Sequence, residues 1–230
     1  MILNPYRFAA AADFGLASRD FDGTADHIDI GINPWDGYTA MTIAAWINLD
    51  VLNINQGVVG STDNINNRLR LMVRTTNQID VLWGDGTSFF SSTLDGATIS
   101  SGVWTHIAAT IDSAGNCTRY IDGSQTGTVD DMSSYGAVSL IYPLFIGARN
   151  SSGAVNLPLN GKIADVRIYD ADIGATEVAN LAAGTDYSTN LQGRWLGNDD
   201  IVGSVVDDLS GNGNTGTNFG STYDTDGPLD

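Results

Sequence analysis

Nine residues set the strongest limit on what this chain folds into. From Met41 to Leu49, the side chains Met41, Ile43, Ala45, Ile47 and Leu49 alternate with Thr42, Ala44, Trp46 and Asn48. A period of two is the signature of a β-strand, whose successive side chains point to opposite faces. Both sets are largely apolar, so both faces need cover, and the segment is predicted to be a central strand in a layered stack. Weaker alternation marks Ile28 and Ile30, and the series Leu69, Leu71 and Val73 within 68–74. Further strands are expected near 78–83, 103–111, 118–121, 144–148 and 162–169. Turn residues separate them at Gly84-Asp85-Gly86, Asp112-Ser113-Ala114-Gly115 and Asp122-Gly123. Many short strands joined by such turns predict an all-β fold, a two-sheet antiparallel β-sandwich of jelly-roll type. One short helix is expected near 175–183, with Gly174 as N-cap, Glu177 in its first turn, Val178 and Leu181 on one face and Gly184 as stop.

The charge inventory agrees with this and narrows the partners. Ten Lys plus Arg face 27 Asp plus Glu, a formal net charge of −17. Such a field opposes nucleic acids and anionic membrane surfaces, and no apolar run reaches the length of a membrane span. Glu177 is the one Glu and Lys162 the one Lys. The remaining acid is Asp, which favours turns, and an all-α fold is excluded. A single cysteine, Cys117, excludes an intrachain disulfide framework. No basic stretch followed by an apolar run marks a signal peptide at the N-terminus, so the chain is expected either to be made in the cytoplasm or to be exported by a route without such a signal.

Six segments together carry a resemblance. Phe21 to Ile28 (FDGTADHI), Thr42 to Ile47 (TIAAWI), Gly102 to Ala108 (GVWTHIA), Arg119 to Gly123 (RYIDG), Ile146 to Ala148 and Gly161 to Tyr169 (GKIADVRIY) stand in the order found in laminin-G-like domains. The chain therefore resembles the laminin-G-like branch of the concanavalin A-like lectin/glucanase superfamily. The resemblance implies the jelly roll over residues 19–184. Residues 1–18 are then an apolar N-terminal arm, and 185–230 a C-terminal extension packed on the jelly roll or on a neighbour. The loop Asp208 to Gly216 resembles a segment usually placed before the opening strand, so it is a candidate to close the sheet from the other end.

Hydrolases of this fold use two carboxylates, typically Glu, on one strand. The lone Glu177 falls in the helix, so no catalytic residue is assigned and the protein is expected not to be an enzyme. His106 and Cys117 fit packed strand positions better than a nucleophile pair. The resemblance implies one structural Ca²⁺ held by Asp165 with Asp22 and Asp26; the alternative is a plain turn at Asp22-Gly23 and a surface carboxylate at Asp165. Trp35, Tyr38, Trp83, Phe89 and Phe90 lie near turns and are the candidates for stacking on a sugar face. Their alternative role is packing at the edge of the core or at a subunit interface. Arg68, Arg70 and Arg74 share one strand face, either paired with acids or receiving an acidic neighbour.

The start of the chain, Asn4-Pro5-Tyr6-Arg7-Phe8, resembles structural proteins of tailed bacteriophages. With Leu3, Tyr6, Phe8 and Phe14 as an apolar anchor to virion proteins or further copies, the expected role is a capsid decoration protein on the virion surface, its glycan-binding type of fold turned outward. The alternatives are a tail-fibre or tail-tip adhesin, or a secreted bacterial carbohydrate-binding or adhesion module.

Overall fold

The computed structural model describes residues 17–31, 33–63, 65–197 and 205–229. In chain order the first strands are β1 (Ser18–Asp22), β2 (His27–Asp29), β3 (Met41–Leu49), β4 (Gln56–Thr62), β5 (Asn67–Val73), β6 (Ile79–Asp85) and β7 (Phe89–Ser91). Next come β8 (Thr105–Ile111), β9 (Asn116–Ile121), β10 (Ser124–Asp131), β11 (Phe145–Ile146), β12 (Arg149–Ser151), β13 (Ala154–Asn156) and β14 (Asn160–Tyr169). The helix α1 (Gly174–Ala182) follows, then β15 (Leu191–Trp195), β16 (Val205–Val206), β17 (Gly216–Phe219) and β18 (Thr222–Asp224).

These strands form two sheets. The first runs β10-β9-β8-β3-β14-β1-β18, with β15 also on β14; the second runs β16-β17-β2-β11-β4-β5-β6-β7, with the β12–β13 hairpin on β4. Among the described strands, pairing is antiparallel except for β12 along β4. The fold is thus the nearly all-β sandwich with one short helix that the alternation predicts.

Strand β3 lies mid-sheet between β8 and β14. Its odd-numbered side chains enter the main core with Leu69, Leu71, Val73, Val81 and Trp83 of the second sheet. Its even side holds Ala44, paired with Ala108, which is paired with Tyr120. The small alanines leave room for α1, whose Val178 and Leu181 pack on them with Tyr169. The helix therefore covers part of the outer face of the first sheet. Its N-cap is Ile173 rather than Gly174, without a side-chain cap, while Asp172 Oδ1 accepts the Gly174 N–H at 2.8 Å. Gly147 is required where β11 turns away: its φ is +80°, and a Cβ there would lie 2.2 Å from the Phe21 ring.

Residues beyond 184 pack on the sandwich itself. β15 pairs with β14, β18 with β1 and β17 with β2, so 191–224 supply strands to both sheets. Trp195 is buried in the core, and its Nε1–H donates to the Asn214 carbonyl at 3.1 Å. The anchor residues Leu3, Tyr6, Phe8 and Phe14 lie outside the described residues.

Removing 185–230 would strip paired strands from β14, β1 and β2 and take Trp195 out of the core. Truncating a buried Trp alone costs about 3–5 kcal/mol, against a total stability of about 5–15 kcal/mol. A chain ending at Gly184 is expected to show no cooperative heat-absorption peak by scanning calorimetry. A sharp transition like that of the full chain would show instead that residues 19–184 fold alone.

Candidate binding site: the arginine face of the second sheet

In β5 and β6, Leu69, Leu71, Val73, Ile79, Val81 and Trp83 point into the core. Alternation turns Arg68, Arg70 and Met72, with Asp80 and Leu82, to the outer face. Arg70 stands between Gly60 of β4 and Leu82 of β6; Arg68 stands between Thr62 and Gly84. A Cβ on Gly60 would come 3.1 Å from Arg70 Cγ, so the glycine makes space for the arginine stem. The β12–β13 hairpin adds Arg149 to this group. A Cβ on Gly57 would sit 2.8 Å from the Arg149 backbone nitrogen, which places the hairpin over the outer face.

The electrostatics are lopsided. Asp80 is fully buried; its Oδ2 pairs with Arg70 at 3.1 Å and Arg74 at 3.4 Å. Its Oδ1 accepts from Ser91 Oγ at 3.2 Å and Ser92 Oγ at 3.1 Å. Burial pushes Arg70 down to about 10; Arg149 and Arg74 push the same way, while Asp80 opposes them. Arg149 is lowered by its own burial and then by Arg68. Arg70 thus feels Arg149 and Arg74, and Arg149 feels Arg68. Arg68 donates to the Ile65 carbonyl and lies 4.0 Å from the centre of the Phe89 ring. Arg149 donates to Asn156 Oδ1. Among the described residues, neither Arg68 nor Arg149 has an ion-pair partner, and the buried Nε atoms of Arg70 and Arg149 have no hydrogen-bond acceptor.

Of the five aromatic candidates, one stands at this face. Phe89 is 43% exposed, beside Arg68. Trp35 and Trp83 are core residues, 0% and 1% exposed, so neither presents a ring to a sugar. Trp35 meets Trp195 edge-on, and Trp83 Nε1–H donates to the Gly136 carbonyl. Phe90 is buried against Tyr135, and Tyr38 packs half-buried on the core. Aromatics beside turns plug the ends of a sandwich, where the two sheets splay and large side chains fill the gap.

The three proposed calcium ligands do not converge. Asp22 pairs with Asn160 across β1 and β14, while Asp165 lies five residues further along β14, roughly 16 Å in an extended strand. Asp165 sits in a β-bulge with φ of +45° and is held by Arg167 at 2.8 Å and Arg194 at 2.8 Å. Asp22 and Asp26 are taken up by their own turn, accepting from Thr24 N and Asp22 N. Among the described residues, no group of three His, Cys, Asp or Glu side chains is placed to hold a metal.

The residues of possible nucleophilic chemistry are packed away. Burial pushes the Cys117 thiol up to about 12. Burial also pushes His106 down to about 4, with its ring 5.2 Å from Trp46 in an edge-to-face contact. Glu177 is on α1, accepting from Asn180.

A concanavalin A-like lectin/glucanase family profile matches residues 22–179. The chain belongs to the concanavalin A-like lectin/glucanase superfamily. No curated protein sequence matches it. Among solved structures, this superfamily member is similar to a protein described as a candidate carbohydrate binder from Bacteroides ovatus, with TM-score 0.70 and 18% identity, over 92% of this chain and 60% of the other. It thus spans less than two thirds of that protein. It is also similar to the CBM40 module of the IT-sialidase of Ruminococcus gnavus (TM-score 0.59, 13% identity, 73% of this chain and 99% of the module). A third is a heptameric SAP-like pentraxin from Limulus polyphemus (TM-score 0.55, 17% identity, 74% and 83%). At these identities the likeness is one of fold.

Two outcomes test this geometry. Asp80→Asn leaves the buried Arg70 guanidinium without its counter-charge, so it is expected to destabilise the fold by about 3–5 kcal/mol, read as a lower urea midpoint. For His106, the folded value lies below the ordinary 6.5, so the unfolded chain takes up the proton first. Its contribution is complete above pH 6.5 and is lost as pH falls towards about 4, roughly 3 kcal/mol at most. His106→Gln should flatten the stability curve in that window; an unchanged slope would contradict the buried neutral imidazole.

Proposed function

We propose that this chain is a non-catalytic glycan-binding module whose ligand lies on the outer face of the second sheet, beside Phe89 and Arg149. The observation that carries this reading is the exposed Phe89 ring held against Arg68 at the edge of a cationic face. An aromatic ring supplies apolar contact to a sugar, and guanidinium groups donate hydrogen bonds to its oxygens. The superfamily membership and the carbohydrate-binding names among the similar structures agree with it.

The absence of catalysis is part of the same proposal. Asp80, the carboxylate in this face, is buried and held by two arginines and two serines, out of reach of a scissile bond. Display outside the cell suits a module of this kind, either on a phage particle or as a secreted adhesion module. The phage setting rests on the N-terminal arm, outside the described residues, and the sandwich gives it no separate support. Among the described residues, no helix is long and apolar enough to cross a membrane.

Affinity electrophoresis against a polysaccharide panel tests this reading. Phe89→Ala is expected to weaken retention by about tenfold or more while leaving the melting temperature unchanged, since the ring lies outside the core. No new reducing ends should appear in the bound polysaccharide. Retention unaffected by Phe89→Ala would move the site elsewhere, and enzyme-dependent cleavage would overturn the non-catalytic assignment.

A further inference from the structure

We infer that the ligand of this face is an acidic glycan, bound through its carboxylates. This rests on the glycan-binding proposal and adds the chemical class of the sugar.

The basis is a comparison of charge clusters within the chain. Lys162 is paired with two carboxylates, Asp224 and Asp226. Arg119 is paired with two, Asp95 and Asp130. Arg167 and Arg194 share two, Asp165 and Asp186. In each of these clusters the acids equal or outnumber the bases. On the outer face of the second sheet the ratio reverses: Arg70 and Arg74 share the single Asp80, Arg149 acts on Arg70, and Arg68 acts on Arg149. Asp63, the nearest further acid along β4, feels Arg68 but is taken up by the Asn67 side chain and by the Ile65 and Asn67 N–H groups.

An excess of cations is unusual in a chain of net charge −17, and mutual repulsion makes it costly. Arg70 is 4% exposed, yet its Nε has no acceptor among the described residues; neither has the buried Nε of Arg149. An incoming anion would relieve the repulsion and accept hydrogen bonds from the more exposed guanidiniums of Arg68, Arg74 and Arg149. A planar carboxylate matches the guanidinium fork, and such charge-assisted bonds are short and strong. Arg70 lies beneath the surface and supplies charge, while the more exposed Arg68, Arg74 and Arg149 make contact.

The rest of the molecule selects how densely charged the ligand is. Charges farther than a Debye length, about 8 Å at physiological salt, are screened, so one carboxylate at the face feels mainly the arginines. A densely sulfated polymer running on past the face meets the acidic remainder of the surface. The site thus favours one carboxylate per sugar over dense sulfation.

Binding of the full chain to polygalacturonate, to hyaluronate and to a sialyllactose conjugate tests the inference. The neutral comparators are the methyl-esterified forms of the same glycans, with dextran sulfate as the sulfated arm. At least one carboxylated glycan is expected to bind about tenfold or more tightly than its ester, and the gap should close in Arg149→Ala. Arg68→Ala should act in the same direction, and Arg149→Lys should restore part of the affinity, with melting curves confirming the fold of each variant. Equal binding of every acid and its ester would overturn the acidic preference and leave glycan binding standing. Tightest binding to dextran sulfate would overturn the carboxylate assignment. A folded protein that binds none of the glycans would overturn both readings.

Discussion

The structure depends on covering both faces of β3. One face enters the space between the sheets, where Met41, Ile43, Ala45, Ile47 and Leu49 meet the side chains of β5 and β6. The other would face water if Ala44 and Ala108 did not admit the helix α1 with Val178 and Leu181. Small residues beneath the helix and large ones between the sheets are two answers to the same demand, close packing of apolar surface. The arrangement also decides where function resides. Part of the outer face of the first sheet is taken by the helix, whereas that of the second carries charged groups.

Charge is distributed by a similar logic. Lys162, Arg119, Arg167 and Arg194 each stand beside carboxylates that offset their desolvation. Arg119 bonds the Thr93 carbonyl and two aspartates, tying β9 to the segment after β7. Arg167 and Arg194 meet Asp165 in the bulge of β14, where the extra residue turns the carboxylate towards them. That bulge holds Asp165 against the two arginines. The outer face of the second sheet breaks the pattern, since Asp80 there is shared by Arg70 and Arg74, while Arg68 and Arg149 have no ion-pair partner among the described residues.

Strands with an apolar inner face and a clear period were legible in the sequence. Met41–Leu49 falls at its observed bounds, and β5, β6, β8, β9 and β14 fall within a few residues of theirs. β4 was not legible, because Gln56, Gly57, Gly60, Ser61 and Thr62 are polar or small although the whole strand is buried. β10 was hidden for the opposite reason: Ser124–Asp131 is a polar edge strand with an irregular register. The direction of the aromatic candidates was not legible either. Trp83 and Phe89 both sit beside turns, but pairing on β6 and β7 sends one inward and the other out.

By itself the sequence determined the sandwich, the central strand, the helix and the superfamily, because these follow from local periodicity and short motifs that each strand carries alone. It also placed Arg68, Arg70 and Arg74 on one face, since period two needs no knowledge of partners. Only the tertiary structure brought Arg149 to them from a distant hairpin, sank Asp80 between two of them and closed both sheets with residues 191–224. The physical reason is that charge balance and burial are properties of neighbours in space. Those neighbours are fixed by pairing between strands far apart in the chain, which no local pattern records.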